Sequence, residues 1–441
     1  PYTTGSATKY ENLPNGYYLV KDKDGTVTGN DFYTLYIVQV VNGTLEFTPK
    51  GDVPETEKKI VEGENKVDTN EASIGDTVSY EITGTLPTNI ADYKEYYYVF
   101  TDTLSKGLTY KNDVKVTIGG VEVTKYFYVN ATEYSETTGT TITVGIADIL
   151  ALGNLDNVTI TKDTKVVVTY SATLNENAVI AGEGNKNDVK LAYSNDPNNS
   201  GNGTTTPSEN PDKPNPTHPT GETPKDEVVT YTTELTILKT DGEGSVLPGA
   251  EFTLTGNGVN VVLVTTETFA EDANGEYWKL KDGTYTTIAP TIADDETDNS
   301  ADYDSTTTKY AKTTDLTAKG TGKTETAVVG VVDGGGHVTF SGLGAGEYTI
   351  TETKTPAGYN TISPVTFSIT FNAGAKAFAS NNTYVVVGTD NKLDTTIVNQ
   401  FGSLLPSTGG MGTTLLYVIG GVLVVGAGVA LVVRRRMRAG E

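Results

Sequence analysis

The sequence contains no cysteine, two histidines (His218 and His337), two methionines and one tryptophan, Trp278. Without cysteine there are no disulfides, so whatever stabilises a chain of 441 residues against unfolding and proteolysis is something else. With two histidines and no thiol, transition-metal clusters and Ser-His-Asp or Cys-His catalysis lack their raw material. No Gly-rich phosphate cradle leads from a strand into a helix. Positive charge is also scarce: 32 Lys and Arg face 56 Asp and Glu, a net charge of -24. That field repels nucleic acid and anionic membrane surfaces, so neither is expected as a partner of the main body. The acidic residues Asp294, Asp295, Glu296, Asp298, Asp302 and Asp304 lack the central glycine and terminal glutamate of an EF-hand loop and read as solvated loop. No metal, no cofactor and no enzymatic activity are expected, and Trp278 reads as a packing residue.

What the chain has in quantity is alternation. Thr and Val recur in short period-two runs bounded by turn residues, the pattern of β-sandwich domains. Residues 1–50 read as strands around Tyr17 to Lys21 and Phe32 to Val41, with turns at Asp24-Gly25 and Asn42-Gly43, and as the end of a first β domain. Residues 51–200 read as a second sandwich with a short helical piece near Ile146 to Leu152. Residues 201–227 are polar and rich in Pro, Gly, Asn and Thr, and read as a linker. Residues 228–402 form a third β domain and 403–441 a terminal signal. The expected fold is all-β: tandem immunoglobulin-like sandwiches, followed in the precursor by a C-terminal transmembrane helix.

From Leu415 to Val433 the chain is apolar, with Gly, Ala and one Tyr, about the length that spans a bilayer as a helix. Arg434, Arg435, Arg436 and Arg438 follow, a cytoplasmic stop under the positive-inside rule. Just upstream stands Leu405-Pro406-Ser407-Thr408-Gly409. The order motif, apolar span, Arg-rich tail resembles the LPxTG sorting signal of Gram-positive surface proteins. The resemblance implies that a sortase attacks the Thr408 carbonyl, releases Gly409 onward and passes the acyl group to an amine. Pro406 supplies a rigid kink and Gly409 an unencumbered leaving side, suited to an extended substrate.

The third domain contains Leu235-Thr236-Ile237-Leu238-Lys239-Thr240-Asp241, then Leu247-Pro248-Gly249-Ala250-Glu251-Phe252, and later the run Tyr348-Thr349-Ile350-Thr351-Glu352 leading to Pro356-Ala357-Gly358-Tyr359. These runs resemble the collagen-adhesin B-like domain and its E-box. The resemblance implies an intramolecular isopeptide bond between Lys239 and Asn399, assisted by Glu352. Burial supplies the chemistry: it drives an amine toward its neutral nucleophilic form and a carboxyl toward its protonated form. Periodicity agrees, since Lys239 shares strand parity with Leu235 and Ile237, and Asn399 with Ile397.

In the second domain, the runs Ala72 to Val78, Phe100 to Tyr110 and Leu191 to Pro197 resemble the middle domain of major pilin subunits, a family that also carries an isopeptide. By analogy the amine is Lys58, with Lys59 and Lys66 as rivals; the carboxyl is Asp102 and the amide Asn195. A link of this kind closes a long loop as a disulfide does, without redox sensitivity, which accounts for the missing cysteine.

Leu45-Glu46-Phe47-Thr48-Pro49-Lys50 resembles the pilin motif, with Thr48 in place of its usual Tyr and Val41 where Trp often stands. The resemblance implies that Lys50 is joined by a pilin-specific sortase to Thr408 of the next subunit. The expected molecule is the shaft subunit of a sortase-assembled fimbria on a Gram-positive cell surface. Its partners would be identical subunits, the pilin-specific and housekeeping sortases, peptidoglycan, and possible minor or tip pilins and a host surface ligand. The alternatives are a monomeric wall-anchored adhesin and a wall-fixed hydrolase, the second lacking any catalytic constellation.

Overall fold

The computed structural model describes residues 9–22, 27, 32–46, 52–203, 206–256, 262–281, 283, 285–293, 297–319 and 328–402. Lys50, the sorting motif, the apolar span and Asp294 to Glu296 lie outside the described residues. Among the described residues no helix is long and apolar enough to cross a membrane.

The first region holds two small antiparallel pairs, Lys9–Tyr10 with Leu45–Glu46 and Gly16–Lys21 with Leu35–Val40. Asn42 and Gly43 both take positive φ, 70° and 81°, as the tight turn read from that dipeptide requires. The backbone N–H of Tyr33 donates to the Asn195 carbonyl at 2.8 Å, tying this region to the next domain.

The second sandwich rests on six strands: β1 (Thr56–Glu62), β2 (Thr77–Thr85), β3 (Tyr98–Leu104), β4 (Lys165–Leu174), β5 (Asn185–Ser194) and β6 (Asp226–Tyr231). One sheet runs Val121–Glu122, Lys115–Ile118, β4, β2, β1, Asn65–Val67. The other runs Tyr128–Ala131, Thr140–Ile146, β3, β5, β6, Thr69–Glu71. Alternate residues point inward: Tyr80, Tyr98, Phe100, Val166, Val168, Val189 and Leu191 are all buried in one core. Gly84 lets the sheets approach, since a Cβ there would strike the Tyr98 hydroxyl and the Phe100 ring. The helical piece is a 3-10 segment, Ile149–Asn154, capped by Asp148, whose carboxylate accepts from the Leu150 N–H at 3.0 Å.

The stretch 201–227 is not simply a linker. Thr220–Glu222 pairs with β5, and β6 pairs antiparallel with β5 and parallel with Thr69–Glu71. Val228 is therefore buried in the second core, and the third sandwich begins with β7 (Thr233–Asp241) rather than at residue 228. The β-branched run Val228-Val229-Thr230 reads as strand in the sequence, but nothing local to it says that it pairs with the second sandwich rather than opening the third.

The third sandwich adds β8 (Glu251–Gly256), β9 (His337–Leu343), β10 (Gly346–Lys354) and β11 (Leu393–Asn399). One sheet runs Tyr310–Lys319, Val262–Glu271, β9, β7, β11, Val385–Val387; the other runs Val328–Val331, β8, β10, Val365–Asn372, Ala377–Ser380. The first strand β7 and last strand β11 lie side by side in parallel, with Lys239 opposite Ile397 and Asp241 opposite Asn399. Trp278 has the Lys309 amine 5.0 Å from its ring centroid, a packing contact.

The two sandwiches meet where residues 71–74 run against the turn after β9. The Ile74 N–H donates to Gly342 O (3.0 Å), the Gly344 N–H to Ser73 Oγ (3.0 Å), and the Ala345 N–H to Glu71 Oε2 (2.6 Å). Gly342 has φ +85°, and a Cβ there would come within 2.6 Å of Ile74. Burial pushes the Glu71 carboxyl up to about 7 against the opposing Ala345 N–H, with Asp76 and Glu62 adding like charge. A folded value above the 4.5 of an exposed carboxyl means this contribution is complete below about pH 4.5 and is lost as pH rises through about 7. Glu71→Gln is therefore expected to flatten the fall in melting temperature between pH 5 and 8, worth on the order of 1–2 kcal/mol after solvent screening. Parallel melting curves for both proteins across that range would remove Glu71 as the titrating group.

Candidate functional site

Two buried lysines define the chemistry. Strand alternation sends Lys58 inward with Ile60 on β1, and neither is more than 1% exposed. Its Nζ donates to Asp102 Oδ2 and, at 2.8 Å, to the Tyr170 hydroxyl. The rings of Tyr80 and Tyr170 lie 5.4 and 5.1 Å from the amine. Asp102 projects from β3 in phase with Phe100 and Leu104, and Tyr170 from β4 in phase with Val166 and Val168. Burial lowers the Lys58 amine and raises the Asp102 carboxyl, moving the pair toward neutral amine and neutral acid.

The amide at this cluster is Asn187 of β5. It is fully buried, its Nδ2 donates to the Tyr170 hydroxyl at 2.8 Å, and its Oδ1 has no hydrogen-bond partner. Asn195, the amide expected from the sequence, is not brought to Lys58. On β5 the residue opposite Asp102 is Val189, so Asn195 lies six positions further along the chain, a rise of about 20 Å if the strand geometry continued. Its backbone instead serves Pro219 and Tyr33. The signal for Asn187 was present: Asn185, Asn187, Val189 and Leu191 share one parity, so an amide stands in phase with core residues, as Lys239 does in the third domain. The rival amines face outward. Lys59 pairs with Asp68 at 2.6 Å and Lys66 with Glu81 at 2.6 Å, the latter side chain half exposed.

In the third sandwich the structure brings Lys239, Glu352 and Asn399 into one buried layer. Lys239 and Asn399 are fully buried and Glu352 is 4% exposed. Lys239 Nζ donates to the carbonyls of Thr240 (3.0 Å) and Ile397 (3.1 Å), two residues short of Asn399 on the adjacent strand. Asn399 Nδ2 donates to Glu352 Oε1 at 2.8 Å, crossing from one sheet to the other, and Asn399 Oδ1 has no partner. The other Glu352 oxygen accepts from the Ile362 N–H at 3.0 Å, which fixes the carboxyl. Burial pushes the Lys239 amine down. The E-box tyrosine Tyr359 stacks edge-on against Phe401 and reaches Asp241 at 3.4 Å, closing the end of the domain from which the chain leaves.

Each cluster thus holds an amine, a carboxyl and an amide away from water, where the unpaired amide oxygens are costly unless reaction or a proton satisfies them. Among the described residues no group of three His, Asp or Glu is arranged to hold a metal. Asp298 instead accepts from Ala293 and Ser300 within its own loop.

Residues 74–197 match the model of the Gram-positive pilin backbone subunit 2, Cna-B-like domain, and residues 302–384 match the SpaA prealbumin-like fold domain. No curated protein matches the chain. Similar solved structures include the full-length major pilin RrgB from Streptococcus pneumoniae (17% identity, 89% of this chain and 84% of that one, TM-score 0.46). Others are the full-length major pilin SpaD from Corynebacterium diphtheriae (20%, 89% and 81%, TM-score 0.45) and the major pilin BcpA of Bacillus cereus (19%, 88% and 86%, TM-score 0.43). The two domain matches, rather than these superpositions, carry the assignment. The chain therefore carries a Gram-positive pilin-backbone domain followed by a prealbumin-like fold domain, the two matches lying in its second and third sandwiches.

Proposed function

We propose that the chain is the shaft subunit of a covalently polymerised surface pilus, self-crosslinked inside its second and third sandwiches. The observation that carries this reading is the pair of sealed lysine clusters within a chain bearing the pilin-backbone domain. In the third sandwich neutral Lys239 Nζ attacks Asn399 Cγ, a C–N bond forms, and ammonia leaves with a proton handled by Glu352. In the second, Lys58 attacks Asn187, and Asp102 first takes the proton that frees the amine. Ammonia escapes, so both reactions are irreversible.

Load explains the arrangement. Pulling on the chain ends reaches Lys239 soon after entry to the third sandwich and would pass straight to Asn399 near its exit, leaving 240–398 unstressed. Covalent transfer replaces the hydrogen-bonded ladder between β7 and β11, whose bonds are individually worth only about 1 kcal/mol. A non-polymerised adhesin would gain less from such reinforcement.

Polymerisation itself would use Lys50 as the accepting amine and Thr408 as the acyl donor, with pilin-specific sortase joining subunits and housekeeping sortase attaching the last one to peptidoglycan. Leu405, Pro406, Ser407 and Gly409 would complete the recognition sequence. Tandem mass spectrometry of digested wall extract is expected to yield a peptide joining Lys50 to Thr408. Finding Thr408 attached only to wall peptide would make the chain a single-copy adhesin instead.

A further inference from the structure

The two clusters connect their carboxyl to their amide differently. In the third sandwich Glu352 touches the Asn399 amide directly at 2.8 Å. In the second, Asp102 hydrogen-bonds Lys58 and Tyr170, while the Asn187 amide hydrogen-bonds Tyr170. The Tyr170 oxygen accepts from Lys58 Nζ and from Asn187 Nδ2, each at 2.8 Å, and its hydroxyl donates to Asp102 Oδ1 at 2.8 Å. One buried hydroxyl therefore contacts the nucleophile, the acid and the leaving nitrogen at once.

We propose that Tyr170 is a catalytic residue of the second-sandwich crosslink, relaying a proton from Asp102 to the departing nitrogen of Asn187. This rests on the reading that Lys58 and Asn187 are joined. Lys58 first gives its extra proton to Asp102, becoming a neutral amine. Nζ then bonds to Asn187 Cγ, and the electron pair of the carbonyl moves onto Oδ1. As the C–Nδ2 bond breaks, Tyr170 passes its hydroxyl proton to Nδ2 and takes the Asp102 proton in replacement, so the tyrosine ends as it began. The carboxylate so regenerated takes the remaining proton from the new amide nitrogen. The products are one secondary amide and one ammonia, with the proton count unchanged and no oxidant or cofactor needed. Tyr170 is 4% exposed, so the proton has a side-chain route where bulk water has none. Burial also keeps its hydroxyl well above the ordinary tyrosine range, so it works as a shuttle and is not lost as phenolate.

The test is intact mass of the secreted ectodomain, wild type beside Tyr170→Phe, Tyr80→Phe and Asn187→Ala, followed from fresh purification over days. Wild type is expected two ammonia masses light and Asn187→Ala permanently one. Tyr170→Phe, which removes one oxygen and keeps the ring, should start one ammonia light and convert slowly, its rate down on the order of 100-fold or more. The third-sandwich loss in the same molecule reports that the chain has folded. Tyr80 is the packing control: its ring lies as near Lys58, but its hydroxyl hydrogen-bonds neither Lys58 nor Asp102, so it cannot carry a proton between the acid and the amide. Complete crosslinking in fresh Tyr170→Phe, or equal slowing in Tyr80→Phe, would overturn the relay while leaving the Lys58–Asn187 bond standing. A wild type lacking the second-sandwich loss would overturn the bond itself.

Discussion

Asn187→Ala is expected to abolish the ammonia loss of the second sandwich, measured against the mass calculated for its own sequence, and to lower the melting temperature by roughly 10–20 °C. The size follows from loop closure. A bond from Lys58 to Asn187 encloses a loop of about 130 residues, which restricts the unfolded chain by about 5 kcal/mol, and a domain of this size loses about 2–4 °C per kcal/mol. The substitution leaves the buried Lys58 and Asp102 facing one another, so the loss is mainly the crosslink. Lys58→Ala should cost more, because it also strands a fully buried carboxyl, a defect of about 3–5 kcal/mol. Asn195→Ala should change neither the ammonia loss nor the crosslinked peptide. Intact mass and calorimetry of the three variants decide the matter; if Asn195→Ala restores the ammonia and Asn187→Ala does not, the amide has been misassigned.

Glu352→Gln is the second large effect. Gln has the shape of Glu and can still receive the Ile362 N–H, but it cannot take up and return a proton. The third sandwich is expected to fold, keep both Lys239 and Asn399 unreacted, and lose about 5 kcal/mol of stability for its loop of about 160 residues. A tryptic digest then reads the outcome directly, since a free Lys239 is cleavable once the chain is unfolded and a crosslinked one is not. An ectodomain carrying Glu352→Gln that loses ammonia from this domain as completely as wild type would leave the carboxyl without a role in the reaction.

A crosslink at Asn187 rather than Asn195 would change how the molecule bears load. A bond at Asn195 would shelter nearly the whole second sandwich from tension. At Asn187 it would shelter 59–186 and leave residues 188–231 in the force path, where the pairing of β5 with β6 would hold them. The polar stretch that composition marks as a linker would then be part of the stressed segment, anchored at its far end by β6.

The third-domain cluster was legible because its sequence runs are dense and because one lysine and one asparagine fall in phase with apolar residues on short, clean strands. Parity also selects Lys58 over Lys59 without any structure, since only Lys58 alternates with Ile60. Asn187 carries the same parity signal, but it stands in a strand whose charged residues, Lys186, Asp188 and Lys190, disguise the inward face. Tyr170 could not be singled out at all among 26 tyrosines.

By itself, then, the sequence determined the all-β class and the acidic body without thiols, and it pointed to a buried amine and carboxyl in each sandwich, because period-two alternation and composition are local properties written along one strand. Which amide meets Lys58, which hydroxyl joins it to Asp102, and that β6 completes the second sheet were decided only by tertiary structure. Those facts depend on the register between strands as far apart as β1 and β5, and register is set by how two whole faces pack, which no single strand encodes.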